Sequence, residues 1–104
     1  MNNRYQRKII FMANVKLNLL NIFQLRVNKK YINYQGKTVK DIISQFLDEN
    51  GDKLDAELLD KSKKKFNSQV LILLNGRNIK YLNNYKTTLN DGDELYLSYA
   101  LAGG

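Results

Sequence analysis

The stretch VLILLNGRNIKYLNNYKTTLNDGDELYLSYALAGG, from Val70 to Gly104, holds three strand signals separated by two turn signals. Val70 to Leu74 are five apolar residues in a row, which reads as a strand buried on both faces and therefore central in a sheet. Asn75-Gly76 follows, the dipeptide that best tolerates the positive backbone angles of a tight turn. Residues 78–82, NIKYL, then read as a short returning strand. A polar loop carries a second turn signal at Asp91-Gly92. In the last strand, ELYLSY, Leu95 and Leu97 alternate toward a core while Tyr96 and Ser98 point away from it.

Working back toward the N-terminus, VKLNLL (residues 15–20) alternates Val15, Leu17 and Leu19 against polar positions, the pattern of a half-buried strand. NIFQLRVNK has no clean period and reads as a loop. Ile32 and Tyr34 share one face of a second strand that Gly36 ends, so the two strands are expected to form an opening hairpin. Thr38 begins TVKDIISQFLDENG, in which Thr38 and Asp41 have the spacing of a capping box and Asn50-Gly51 offers a left-handed stop. Val39, Ile42, Ile43, Phe46 and Leu47 form one apolar stripe at helical spacing. DKLDAELLDKSKKKF, with Leu54, Leu58, Leu59 and Phe66, places acidic residues early and lysines late, the order that complements a helix dipole, and predicts a second, shorter helix. Its lysine run, Lys61 to Lys65, then reads as a solvated helix end.

This order predicts one α+β domain with a mixed sheet of about five strands, covered on one face by the main helix. At 104 residues, 43% of them hydrophobic, the chain can bury a sufficient core alone. The expected organisation is an N-terminal extension over residues 1–14, a domain over 15–98 and an extended tail over 99–104. Met12 is a candidate alternative start, which would leave residues 1–11 outside the fold.

Composition narrows the chemistry. Cysteine and histidine are both absent, which removes thiolate nucleophiles, disulfides, the usual zinc ligand sets and an imidazole proton shuttle. No metal site is expected. The formal charge of +7 suggests an anionic partner, but Arg4, Arg7 and Lys8 supply three of the seven, so the remainder carries +4 (7 minus 3). Lys29-Lys30-Tyr31, Lys80-Tyr81 and Tyr85-Lys86 interleave rings with charge as a single-strand binder does, yet tyrosines suit a half-exposed sheet equally well. No run approaches the ~20 apolar residues of a membrane span, and Ile9 to Ala13 is too short for an export signal. A cytoplasmic protein is expected, in no need of a membrane or nucleic-acid partner.

Gln35-Gly36-Lys37-Thr38 resembles the end of a phosphate-binding loop, but Tyr31 stands where the loop needs its first glycine. Asp48 with Glu49, and Asp91, Asp93 and Glu94, read as solvated turns and strand ends rather than acid/base pairs. Two closing glycines occur by chance in about one chain in 200. Gly103 and Gly104 have no side chain, so the backbone there can enter a narrow slot. From Tyr99 the six final residues can reach about 20 Å beyond a globule. A terminal carboxylate, with an unperturbed pKa of ~3.5, is ionised at neutral pH and must be activated before a nucleophile can attack it. A partner enzyme that joins it to AMP would supply that activation, after which sulfide or an amine can displace AMP.

Val70 to Gly104 resembles the C-terminal half of the ubiquitin-like β-grasp sulfur carriers: the molybdopterin synthase small subunit, the thiamine-pathway sulfur carrier, the ubiquitin-related modifier and the small archaeal modifier proteins. The resemblance rests on an apolar strand running into Asn75-Gly76-Arg77, the Leu-x-Asp-Gly-Asp turn of Leu89 to Asp93, and the final Gly103-Gly104. Fainter similarity reaches back to Val15. It implies a β-grasp fold and a protein substrate rather than an enzyme, whether free or as the small subunit of a molybdopterin synthase-type complex. It implies that an adenylyltransferase similar to the ubiquitin-activating enzyme uses ATP to activate Gly104. The product would be a thiocarboxylate for molybdopterin, thiamine or tRNA sulfur transfer or, alternatively, a bond to a target-protein lysine. No stably bound cofactor is implied. Leu101 and Ala102 would set the tail's grip on the activating enzyme and Gly103 would give access. Tyr96, with Tyr99 and Arg77, forms the candidate docking set, since recognition surfaces use aromatic and arginine anchors. Two features depart from the family: molybdopterin-type carriers often have a proline pair before the tail where this chain has Tyr99-Ala100, which speaks against the molybdopterin branch, and the segment from helix to central strand is longer and richer in lysine than in the shortest carriers. Both leave room for the modifier role. A basic β-grasp module that binds RNA is a third reading, distinguished by binding that survives loss of Gly103 and Gly104.

Overall fold

A computed structural model describes residues 12–99. Five strands, β1 (Ala13–Leu19), β2 (Tyr31–Gly36), β3 (Val70–Leu74), β4 (Arg77–Asn78) and β5 (Glu94–Tyr99), form one sheet in the order β2-β1-β5-β3-β4. β1 and β5 run parallel, and the other neighbours are antiparallel. The α+β fold with a mixed five-stranded sheet and two helices is the expected β-grasp. Its core follows from period-two patterning. Val15, Leu17 and Leu19 of β1, Val70, Ile72 and Leu74 of β3, and Leu95 and Leu97 of β5 all point to one side and are buried.

The main helix, α2 (Val39–Asn50), lays Val39, Ile42, Ile43 and Phe46 on that side. Asp41 caps its start by accepting the backbone N–H groups of Lys37 at 2.8 Å and Thr38 at 3.0 Å. Gly36 is required by close approach rather than by a phosphate, since a Cβ there would meet Asp41 Cβ at 2.8 Å and Ile42 Cδ1 at 2.9 Å. The far end of α2 differs from expectation. Gly51 has φ −57° and continues into a 3-10 turn over Gly51–Lys53, while the Asn50 side chain turns back onto the Phe46 carbonyl. The left-handed stop is therefore not used here.

The short helix exists, but in another place. NIFQLRV, expected to be a loop, is helix α1 (Asn21–Val27), with Phe23 and Val27 buried one turn apart and Asn28 in the left-handed conformation closing it. Phe23 meets the Phe66 ring edge-on at 5.4 Å. β1 and β2 pair antiparallel as expected, joined through this helix rather than a tight turn. The segment expected to form the second helix has only 3-10 turns at Gly51–Lys53 and Ala56–Leu58. Leu58 is buried there, but Asp60 interrupts the helical register by accepting the Ser62 and Lys63 N–H groups, and Lys63 takes φ 62°. The lysine run is thus a side-chain-anchored turn, not a helix end.

Two strand expectations change as well. β3 lies next to the two-residue β4, and Leu71 and Leu73 are half-buried on the open face. The central strand is β5. NIKYL contributes only Asn78 to β4 and then winds into a 3-10 turn over Ile79–Tyr81, with Ile79 buried. β1 begins at Ala13, two residues before the expected boundary at Val15, and β5 retains Tyr99.

Candidate functional site

The carboxyl end of β5 is the last described point of the chain, and its neighbours hold it firmly. Leu95 and Leu97 are fully buried between β1 and β3, which fixes the strand axis. Tyr99 pairs in register with Val70, so its ring lies on the core side, where its hydroxyl donates to Gln69 Oε1 at 3.0 Å. Asn21, at the start of α1, bonds to the Tyr99 backbone from the other flank. The sequence reading passed over Asn21 because it stood in an apparent loop. An asparagine at the first turn of a short helix, with φ 39°, is a signal that only the packed structure makes plain.

The open face of the sheet presents Tyr96, which pairs with Leu73. With Leu73, Asn75, Gly76 and Glu94 it lines a shallow cavity of about 420 Å³. The negative charge of Glu94, which accepts the Tyr96 hydroxyl at 3.3 Å, raises the phenol's pKa above its ordinary value. Register separates the three expected docking residues. Tyr96 faces outward, Tyr99 pairs with Val70 of the core side, and Arg77 pairs with buried Leu74 at the exposed β3–β4 hairpin. Tyr96 is the member that sits with apolar neighbours on the uncovered face. Leu101, Ala102, Gly103 and Gly104 lie outside the described residues, as does the N-terminal extension up to residue 11.

The two sequence motifs of the C-terminal third meet in space. Asn75 (φ 50°) and Gly76 (φ 90°) form the expected left-handed turn. The Asn75 carboxamide accepts the Glu94 N–H at 2.9 Å and donates to Asp93 Oδ1 at 2.9 Å, while Asp93 Oδ2 accepts the Asn90 N–H at 2.7 Å. Asp91 accepts from both the backbone N–H and the side chain of Asn14 at 2.8 Å, and these bonds hold its carboxyl below the usual range. These carboxylates are staples that set where β5 begins. Among the described residues no group of acidic side chains is placed to hold a metal ion, and no helix is long and apolar enough to cross a membrane.

The sequence profile described as "ThiS family" matches residues 19–104, which is 86 of the 104 residues (104 minus 19, plus 1). The chain belongs to the ThiS family. No curated protein matches its sequence. Solved structures similar to this ThiS-family chain include small archaeal modifier protein 1 from Methanosarcina acetivorans. That structure is 24% identical with a TM-score of 0.78, the match covering 91% of this chain and 100% of that one. The Haloferax volcanii HVO 2177 protein is 27% identical with a TM-score of 0.71, covering 89% and 88%. A chain of the Amycolatopsis orientalis BexX/CysO complex is 24% identical with a TM-score of 0.70, covering 86% and 99%. The ThiS-family assignment places this protein among small ubiquitin-like carriers and modifiers.

Proposed function

We propose that this protein is a sulfur carrier whose reactive group is the C-terminal carboxylate of Gly104. The observation that supports it best is the ThiS-family match, which runs through Gly103 and Gly104. The described fold ends five residues before that point (104 minus 99), at a strand held on both sides. A partner adenylyltransferase binds ATP and the tail. A carboxylate oxygen of Gly104 attacks the α-phosphorus, pyrophosphate leaves, and an acyl adenylate forms. Sulfide then attacks the acyl carbon, the new C–S bond replaces the C–O bond to AMP, and AMP departs with its electron pair. Gly103 and Gly104 keep the acyl carbon unhindered, Leu101 and Ala102 provide grip, and Tyr96 supplies a contact on the open face. Receiving enzymes in the cytoplasm would take the sulfur onward.

The name of the Methanosarcina structure, a modifier protein, favours a second reading in which a target lysine amine replaces sulfide and an isopeptide results. Radiolabelled sulfide and ATP added to an extract of the native cells separate the two. Carrier function predicts label on this protein, released when its free terminal sulfur is alkylated and hydrolysed, and no label on a chain lacking Gly103 and Gly104. Absence of label together with Gly104 joined by isopeptide bonds to other proteins' lysines, seen after tryptic digestion as branches spanning residues 87–104, would replace the carrier reading by the modifier reading.

A further inference from the structure

The geometry assigns to Asn21 the role of a positioning residue that holds the root of the C-terminal tail and thereby sets delivery of Gly104 to its activating partner. This inference rests on the carrier reading for its functional half. β1 pairs with β5 only as far as Leu19 against Leu97, and the Leu20 N–H closes that ladder on the Leu97 carbonyl at 3.0 Å. Backbone groups alternate in direction along a strand, so the N–H and C=O of Tyr99, two residues on, face the same flank with no strand left to meet them. The Asn21 carboxamide fills the gap. Its Oδ1 accepts the Tyr99 N–H at 3.1 Å, and its Nδ2 approaches the Tyr99 carbonyl at 3.4 Å and donates to Ser98 Oγ at 2.9 Å.

A carboxamide has the donor and acceptor of a peptide group, so the side chain supplies the rung that the departing main chain cannot. The same Oδ1 accepts the Ile22 N–H at 2.9 Å, which locks the side chain to the first turn of α1. Phe23, fully buried two residues later, ties that turn to the core. Because α1 carries the clamp and is itself packed into the core, the Tyr99 N–H and carbonyl are tied to the rigid body of the domain. A partner that docks on the sheet then meets the tail root at a constant place, which lowers the ordering cost of binding.

Asn21→Gly is the informative substitution, since glycine accepts φ 39° without strain. Amide hydrogen exchange of Tyr99 is expected to accelerate about tenfold, the consequence of losing one net hydrogen bond, while Leu95 and Leu97 amides and the urea midpoint stay close to wild type. Asn21→Asp keeps the acceptor for Tyr99 and loses the donor, so it should retain most of the Tyr99 protection. The fraction of protein modified at Gly104 in native cells should fall in Asn21→Gly and partly recover in Asn21→Asp. Unchanged Tyr99 exchange in Asn21→Gly overturns the clamp. Faster exchange with an unchanged modified fraction overturns its role in delivery. A wild-type protein never modified at Gly104 overturns the carrier reading and the delivery role with it, while the exchange data still decide the clamp.

Discussion

Asp41 shows how one side chain joins several parts of the fold. Burial raises its carboxyl pKa, but the N–H groups of Lys37 and Thr38 outweigh that effect and hold it below the ordinary carboxylate value. The ionised form is therefore favoured in the native state. Its contribution is complete above the unfolded-chain pKa of ~3.9 and fades as pH falls through the lower native value. Asp41→Asn is expected to cost about 0.5–1 kcal/mol at neutral pH, a gap that narrows in urea titrations carried toward pH ~3. A gap of the same size at both pH values would assign the effect to packing. Asp41 was legible in the sequence because a capping box is a local pattern. Asn21 was not, because its partners Ser98 and Tyr99 lie 77 and 78 residues away.

At the scale of elements, the sequence identified those whose signal repeats. The stripe of Val39, Ile42, Ile43 and Phe46 gave α2 its extent, and alternation gave β1 and β5 their buried faces. α1 was missed because seven residues hold only two turns, and none of the first is acidic. Its helicity comes from tertiary burial of Phe23 and Val27 rather than from propensity. The opposite error arose at residues 52–66, where leucine spacing suited a helix, but the Asp60 turn and the Leu59–Phe66 bridge fold the segment back on itself. The central position expected for β3 failed because five apolar residues can also cover an open sheet face. If α1 is held by its buried side, Phe23→Ala should cost about 3–5 kcal/mol in urea denaturation. Leu25→Ala, at a residue 69% exposed, should change stability by less than about 0.5 kcal/mol. Equal losses would mean that α1 is stabilised by something other than its contact with Phe66 and the core.

For the whole molecule, the proposed carrier function makes the described fold a scaffold for chemistry at the C-terminus. Asn75, Asp91 and Asp93 set where β5 starts, Leu95 and Leu97 set its axis, and Asn21 and Gln69 hold its last residue. The proposed reactive group, a carboxylate behind two glycines, was suggested by the residues at the end of the sequence alone. The lysines at 61–65, read from sequence as a solvated helix end, belong to a turn organised by Asp60 and Ser62.

The most direct measurement is the intact mass of the protein recovered from its native cells. The account predicts a species ending at Gly104 that is heavier than the unmodified chain by the replacement of one oxygen with sulfur, and it predicts that this species vanishes when Gly103 and Gly104 are deleted. A natural product that continues past Gly104 without being trimmed, or that ends there and never carries sulfur, would contradict it.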